Sequence, residues 1–164
     1  MTLTDGATWD RFVASHPEAN FLQSSSWGEL HEQLGMVIIR KILPSGGGYQ
    51  AIVKDAKRGR YLEVPGAPLV DWSNAQAVSA LVDDLKATGK QHDCVFVRIR
   101  PQLIDTPENR ACLQSSGLRK APMHLHAEHT TILDLTKPED TLLEGMRRQT
   151  RYEVKRATKQ GIVV

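Results

Sequence analysis

The chain has 164 residues, 40% of them hydrophobic and 24% charged, with a net charge of +2. That length holds one domain with a substantial core and is short for two. No apolar run approaches the length needed to span a bilayer, and the opening stretch MTLTDGATWD carries acidic residues where a secretory signal needs a basic start and an apolar centre. Cys94 and Cys112 form no CxxC pair and have no histidine at metal spacing, so they read as reduced core thiols of a cytosolic protein.

In chain order, Trp9, Phe12 and Val13 predict a short amphipathic helix over 5–15 that Pro17 stops. Ser26 and Glu29 have capping-box spacing, which predicts a second helix from Trp27 to about Gln33, ended by Gly35. Residues 36–43 and 49–53 are β-branched runs either side of a Pro-Gly turn and predict a hairpin; a third strand over 60–64 leads into Pro65-Gly66-Ala67-Pro68, a turn of fixed geometry. Ala77, Val78, Leu81, Val82 and Leu85 have helical spacing over 73–88, with Gly89 behind them. A buried strand over 94–99 follows. Thr106-Pro107-Glu108 opens a helix that Gly117 closes, and strands are predicted over 118–122 and 129–135. Because the first strands form a hairpin, the fold class is α/β in the α+β sense: a mixed sheet with helices on both faces.

The final stretch is the most informative. Thr136 as N-cap, Glu139 closing a capping box and Gly161 as a stop predict one long basic helix over 137–160, kinked near Gly145. On it Leu142, Leu143, Met146, Val154 and Ala157 fall in one arc, and Arg147, Arg148, Arg151, Lys155, Arg156 and Lys159 in the other, with Tyr152 among the bases. Between Gly145 and Gln160 six basic residues face one acidic residue, Glu153, so the acidic partners of an ordinary solvated helix face are missing. Like charges at i, i+4 repel, and a polyanion turns that repulsion into attraction. On the face assignment, Val154→Asp is expected to cost a few kcal/mol by burying an unpaired charge.

Residues 147–164, RRQTRYEVKRATKQGIVV, resemble a segment of the FemABX aminoacyltransferases, with the spacing of Arg151, Tyr152, Ala157 and Gly161 kept. Phe21, Gln23, Ser24 and Trp27 are similar to the family's opening; Tyr61 to Asp71, Gly117-Leu118 and Thr130 to Leu135 match later pieces in order. The resemblance implies a GNAT-like acyltransferase domain over 1–136 and, over 137–164, the basic helix and the start of a second GNAT-like domain. Family members are about twice as long, so the chain is expected to be an N-terminal part that is inactive alone; the apolar Ile162-Val163-Val164 reads as a strand just beginning.

The implied reaction moves an amino acid from aminoacyl-tRNA to the peptide stem of a lipid-linked or UDP-linked muropeptide, in interpeptide bridge formation. The aminoacyl-tRNA is a co-substrate, and no cofactor is implied. The implied site residues are Arg147, Arg148, Arg151, Tyr152 and Lys155, because Arg forks hold phosphates and rings stack on bases or sugars. Trp27 and His31 are a second substrate-binding pair: some members have a Lys, four residues after the Trp, at the precursor's diphosphate, and His31 stands at that place. The plainer reading makes Trp27 a core residue and His31 an exposed one. No catalytic residue is assigned. Arg98 and Arg100 alternate on a strand, but Arg100 stands where some relatives have an acid, so no role is carried over to it. His124, His126 and His129 lack the further ligands that a zinc site needs, and no metal is expected.

The implied location is the cytoplasm, with any membrane contact peripheral and at the inner face of the plasma membrane. Two rivals stay open. One is an acyl-CoA-dependent GNAT N-acyltransferase, whose pyrophosphate-loop signature is absent from these residues; the other is a non-catalytic RNA-binding module built on the basic helix.

Overall fold

A computed structural model of the chain describes residues 4–57, 59–123, 125 and 133–162. The chain divides into two compact units, Met1–Ala121 and Pro122–Val164.

The first unit is built on a four-stranded sheet in the order β1-β2-β3-β4, where β1 is Val37–Ile42, β2 Gly48–Ala56, β3 Gly59–Val64 and β4 Phe96–Ile99. The first three strands run antiparallel, as the predicted hairpin requires, with Ile39 opposite Ala51 and Val53 opposite Leu62. β4 is parallel to β3, which demands a crossover, and helix α3 (Ala75–Gln91) supplies it.

Alternation along these strands sorts the two faces. Ile39, Tyr49, Ala51, Val53, Leu62 and Val64 form one buried cluster with Ala77, Val78, Leu81, Val82 and Leu85 of α3. The helical spacing of those five residues is therefore the spacing of a core face, and burying each large one stabilises by roughly 1.5–3 kcal/mol. A polar group ties the same helix to the hairpin. Lys41 Nζ lies 3.1 Å from Asp84 and 2.6 Å from Thr88 Oγ1, and Tyr49 donates its hydroxyl to Asp84 at 2.6 Å. Burial first, and the adjacent Asp84 second, push the Tyr49 hydroxyl well above the ordinary tyrosine range, so it stays a donor.

The opposite face carries Gln50 and Arg40 and is covered by a 3-10 turn, Phe21–Gln23, and helix α2, Ser25–Gln33. Helix α1 (Gly6–Ala14), capped by Asp5, places Trp9 and Val13 in a second cluster with Leu69. The predicted helices on both faces of a mixed sheet are thus present. Helix α4, Pro107–Ser115, starts at Thr106, whose side chain accepts from Asn109 N, and the chain turns at Gly117 with φ +77°.

Several boundaries differ from expectation. The cap of α2 is Ser24, whose hydroxyl accepts from Trp27 N, because Ser25 is turned to Asp10 and Ser26 already lies inside the helix. Gly89 does not end α3; the helix continues to Gln91, and a side chain at Gly89 would press on Val97 of β4 at 3.0 Å. Residues 118–122 form no strand, though Leu118 packs on the core. Of the strand expected over 129–135, residues 129–132 lie outside the described residues and Leu133 to Leu135 are irregular. The Pro65-to-Pro68 turn is held in place as predicted: it is buried throughout, and Asn20 donates to Gly66 O at 2.8 Å.

Gly28 sets how closely α2 approaches the sheet. A Cβ there would stand 2.4 Å from both Arg40 Nη2 and Gln50 Oε1, two atoms already bound to partners. Gly28→Ala is expected to destabilise the protein by about 1–3 kcal/mol through overpacking, despite alanine's better helix propensity. Urea denaturation checks this; unchanged stability would show that α2 can lift off the sheet at no cost.

Candidate functional site

In the second unit the predicted single helix is two. Helix α5 is Glu139–Gly145 and helix α6 is Arg148–Lys159, separated at Met146 and Arg147, whose ψ angles of 156° and 147° are extended. The break falls where the kink was expected and is more complete. Gly145 weakens the helix there, and the released carbonyls find another donor: Arg151 Nη1 donates to Glu144 O at 2.9 Å and to Met146 O at 2.6 Å. The start also differs. Thr136 gives its hydroxyl and its N–H to Asp134, so it cannot cap, and the helix begins after Pro138 with Glu139 and Asp140 in its first turn. Those two bonds hold the Asp134 carboxyl below the usual carboxylate range.

Gly161 stops α6 as predicted. Its φ is +74°, its N–H donates to Thr158 O and that of Ile162 to Ala157 O, the paired bonds of a Schellman motif. Arg156 and Lys159 lie in the last turn, where positive charge suits the helix dipole.

Arg147, Arg148, Lys155, Arg156 and Lys159 are exposed, and among the described residues none of them forms an ion pair. Tyr152 stands among them, 58% exposed. Arg151 is the exception, half-buried and committed to backbone carbonyls. On the apolar arc Leu142, Leu143, Met146 and Ala157 are half-buried, but Val154, beyond the break, is 41% exposed. An open depression of about 570 Å³ lies at the elbow, with Lys137 and Arg147 beside Leu133, Leu142 and Met146.

Trp27 and His31 lie in the first unit, on α2. Their rings are 4.9 Å apart, Phe21 meets Trp27 edge-on at 5.5 Å, and His31 Nδ1 lies 2.9 Å from Trp27 O. Their exposures reverse the plainer expectation: His31 is buried at 8%, and Trp27 is only half-buried. The Trp27 indole N–H is enclosed without a hydrogen-bond partner among the described residues. Cys94 and Cys112 are free, partly buried thiols, and burial raises the pKa of Cys94. Arg98 and Arg100 are half-buried. His124, His126 and His129 lie outside the described residues. Among the described residues no cluster of metal-ligating side chains occurs, and no helix is long and apolar enough to cross a membrane.

A buried polar brace went unread in the sequence. Gln23 Nε2 donates to Gln50 O at 3.0 Å and to Pro65 O at 2.7 Å, and its Oε1 accepts from Gln50 N at 2.7 Å. Gln50 in turn donates to Ser24 O, and Arg40 joins Gln50 Oε1 to Ser25 O. The signal was present in the Phe21-x-Gln23-Ser24 string, but a glutamine before a helix gives no sign of burial until a strand's backbone is brought beside it.

Fold and sequence comparisons agree with this construction. The "Crystal structure of FemX" matches with a TM-score of 0.73 and 25% identity, covering 97% of this chain and 43% of that one, which makes the sheet and its helices a GNAT-like acyltransferase fold. The FemAB family model matches residues 4–116, more than half of the chain. The chain belongs to the FemAB family. It is 27% identical over 177 aligned positions to the lipid II:glycine glycyltransferase of Staphylococcus aureus, and equally to that of the bovine strain RF122 / ET3-1, with 94% of this chain covered in each. The chain spans about two fifths of the length of these relatives (40%).

The exposure of Val154 corrects the expectation drawn from the continuous helix. Val154→Asp is now expected to change stability by no more than about 0.5 kcal/mol, as surface substitutions do. A thermal melt decides it; a drop of several degrees would put Val154 back in a packed face.

Proposed function

We propose that a protein of the relatives' length containing this chain is an aminoacyltransferase of peptidoglycan bridge formation. It moves an amino acid from aminoacyl-tRNA to an amine on the peptide stem of a lipid-linked or nucleotide-linked precursor, on the cytoplasmic side of the membrane. The observation that carries this reading is the exposed basic face of α6 and its N-cap Arg147, five cations without ion-pair partners among the described residues, in a chain of the FemAB family. The names of the Staphylococcus aureus relatives support the acceptor and the transferred group.

The chemistry suits such a surface. The amine attacks the ester carbonyl, a new amide C–N bond forms, the ester C–O bond breaks, and the tRNA ribose hydroxyl leaves with the amine's proton. The ester is already activated, so most of the work is holding two polyanions together and stabilising the oxyanion. Arg147, Arg148 and Lys155 meet phosphate, Tyr152 offers a ring to a base or sugar, and Arg151 shapes the face they share. Trp27 and His31 are the second candidate for substrate contact, on α2, with the half-buried Trp27 ring as the reachable member and the buried His31 ring packed behind it. In this reading residues 1–136 are the first GNAT-like domain and 137–164 open the second.

The test incubates the full-length protein with labelled aminoacyl-tRNA pools and both precursor forms. A tRNA-dependent muropeptide product is expected. Arg148→Gln with Lys155→Gln should raise the KM for aminoacyl-tRNA by about tenfold or more, the worth of at least one lost charge-assisted bond. Acetyl transfer from acetyl-CoA, with no tRNA-dependent product, would contradict the reading.

A further inference from the structure

We infer that Arg151 is a positioning residue, the clamp of the α5–α6 elbow, and that the polyanion is met by its neighbours. The inference rests on the proposed reading of α6 as a polyanion-binding face and gives one of that face's arginines a different task.

Six basic residues occur between Gly145 and Gln160, and helical spacing alone places all six in one arc. The structure separates one. Arg147, Arg148, Lys155, Arg156 and Lys159 are exposed; Arg151 is half-buried, and its Nη1 is spent on Glu144 O at 2.9 Å and Met146 O at 2.6 Å. A guanidinium presents its donors in a fixed planar fork, so an Nη that binds two carbonyls fixes the plane of the whole group and limits what the rest can reach.

The carbonyls it holds matter. They belong to the last turn of α5 and to the first extended residue after it, the segment where helix hydrogen bonding stops. Arg151 itself sits one turn into α6, where its own N–H donates to Arg147 O. One side chain therefore ties the end of one helix to the first turn of the next, and no other side-chain hydrogen bond spans this elbow among the described residues. The clamped stretch, Gly145 to Arg147, lines the depression that Lys137 and Arg147 flank. Holding Met146 O holds the direction in which Arg147 leaves the elbow, and with it the spacing of Lys137 and Arg147 around a common cavity.

The test uses the full-length protein with its native cysteines, Cys94 and Cys112 among them, replaced by serine, and spin labels at the exposed positions Asp140→Cys on α5 and Gln160→Cys after α6. Electron–electron resonance reads the distance between the labels, and titration with bulk tRNA at several salt concentrations reads the slope of log K against log salt. The parent and Lys155→Gln should show one narrow distance, and Arg151→Gln a broadened one. Lys155→Gln should flatten the slope by about 0.7–0.9, one released counterion, whereas Arg151→Gln should weaken binding about tenfold at each salt with the slope held. A narrow distance in Arg151→Gln, or a slope flattened as in Lys155→Gln, would overturn the inference. If no variant binds tRNA, the proposed function fails, while the distance measurement still decides the clamp.

Discussion

The first unit depends on one side-chain amide. Gln23 is fully buried, and its carboxamide is saturated by backbone: both N–H groups go to carbonyls of Gln50 and Pro65, and its oxygen accepts the N–H of Gln50. Its own backbone carbonyl takes the indole N–H of Trp9 at 2.6 Å. A single residue on a 3-10 turn thus joins α1, the second strand and the exit of the third. Buried amides of this kind are worth modest net energy while paired and cost much more when left half-paired. The brace therefore specifies where the turn sits on the sheet, and α2 follows, seated by Gly28 against Arg40 and Gln50.

From this follows a division of labour between the two stretches that resemble the family. Phe21, Gln23 and Ser24 build the fold: Gln23 is the brace, Ser24 caps α2, and Phe21 packs edge-on against Trp27. The basic stretch does little for the core. No residue of α6 is buried, and like charges repel along its face. That a segment stabilises so little and carries so much charge is the physical ground of the proposed polyanion contact.

Where burial follows a simple period, the sequence was readable. The α3 face, the β1–β2 hairpin, the Thr106 cap and the Gly161 stop are all legible because each is written in a local pattern: a helical period, two branched runs around a turn, a cap residue and a glycine. The failures come where a distant or competing partner decides. Ser26 and Thr136 look like caps, but Ser24 wins at α2, and Asp134 takes the Thr136 hydroxyl. The α5–α6 break is bridged by the fork of Arg151, seven residues beyond Glu144, and Val154 on the far side of it is exposed. A histidine on a short helix gives no sign that its ring will fold back onto Trp27, so the burial of His31 is not legible in the sequence.

That the Gln23 string folds the protein and does not touch substrate is tested most directly by Gln23→Leu, with urea denaturation and tRNA binding measured on the same preparation. The substitution leaves the buried Gln50 N–H and the carbonyls of Gln50 and Pro65 without the partner they have now. Stability should fall by about 2–5 kcal/mol, while the fraction that remains folded binds tRNA with unchanged affinity. Unchanged stability with lost binding would contradict the assignment and make Gln23 a substrate contact.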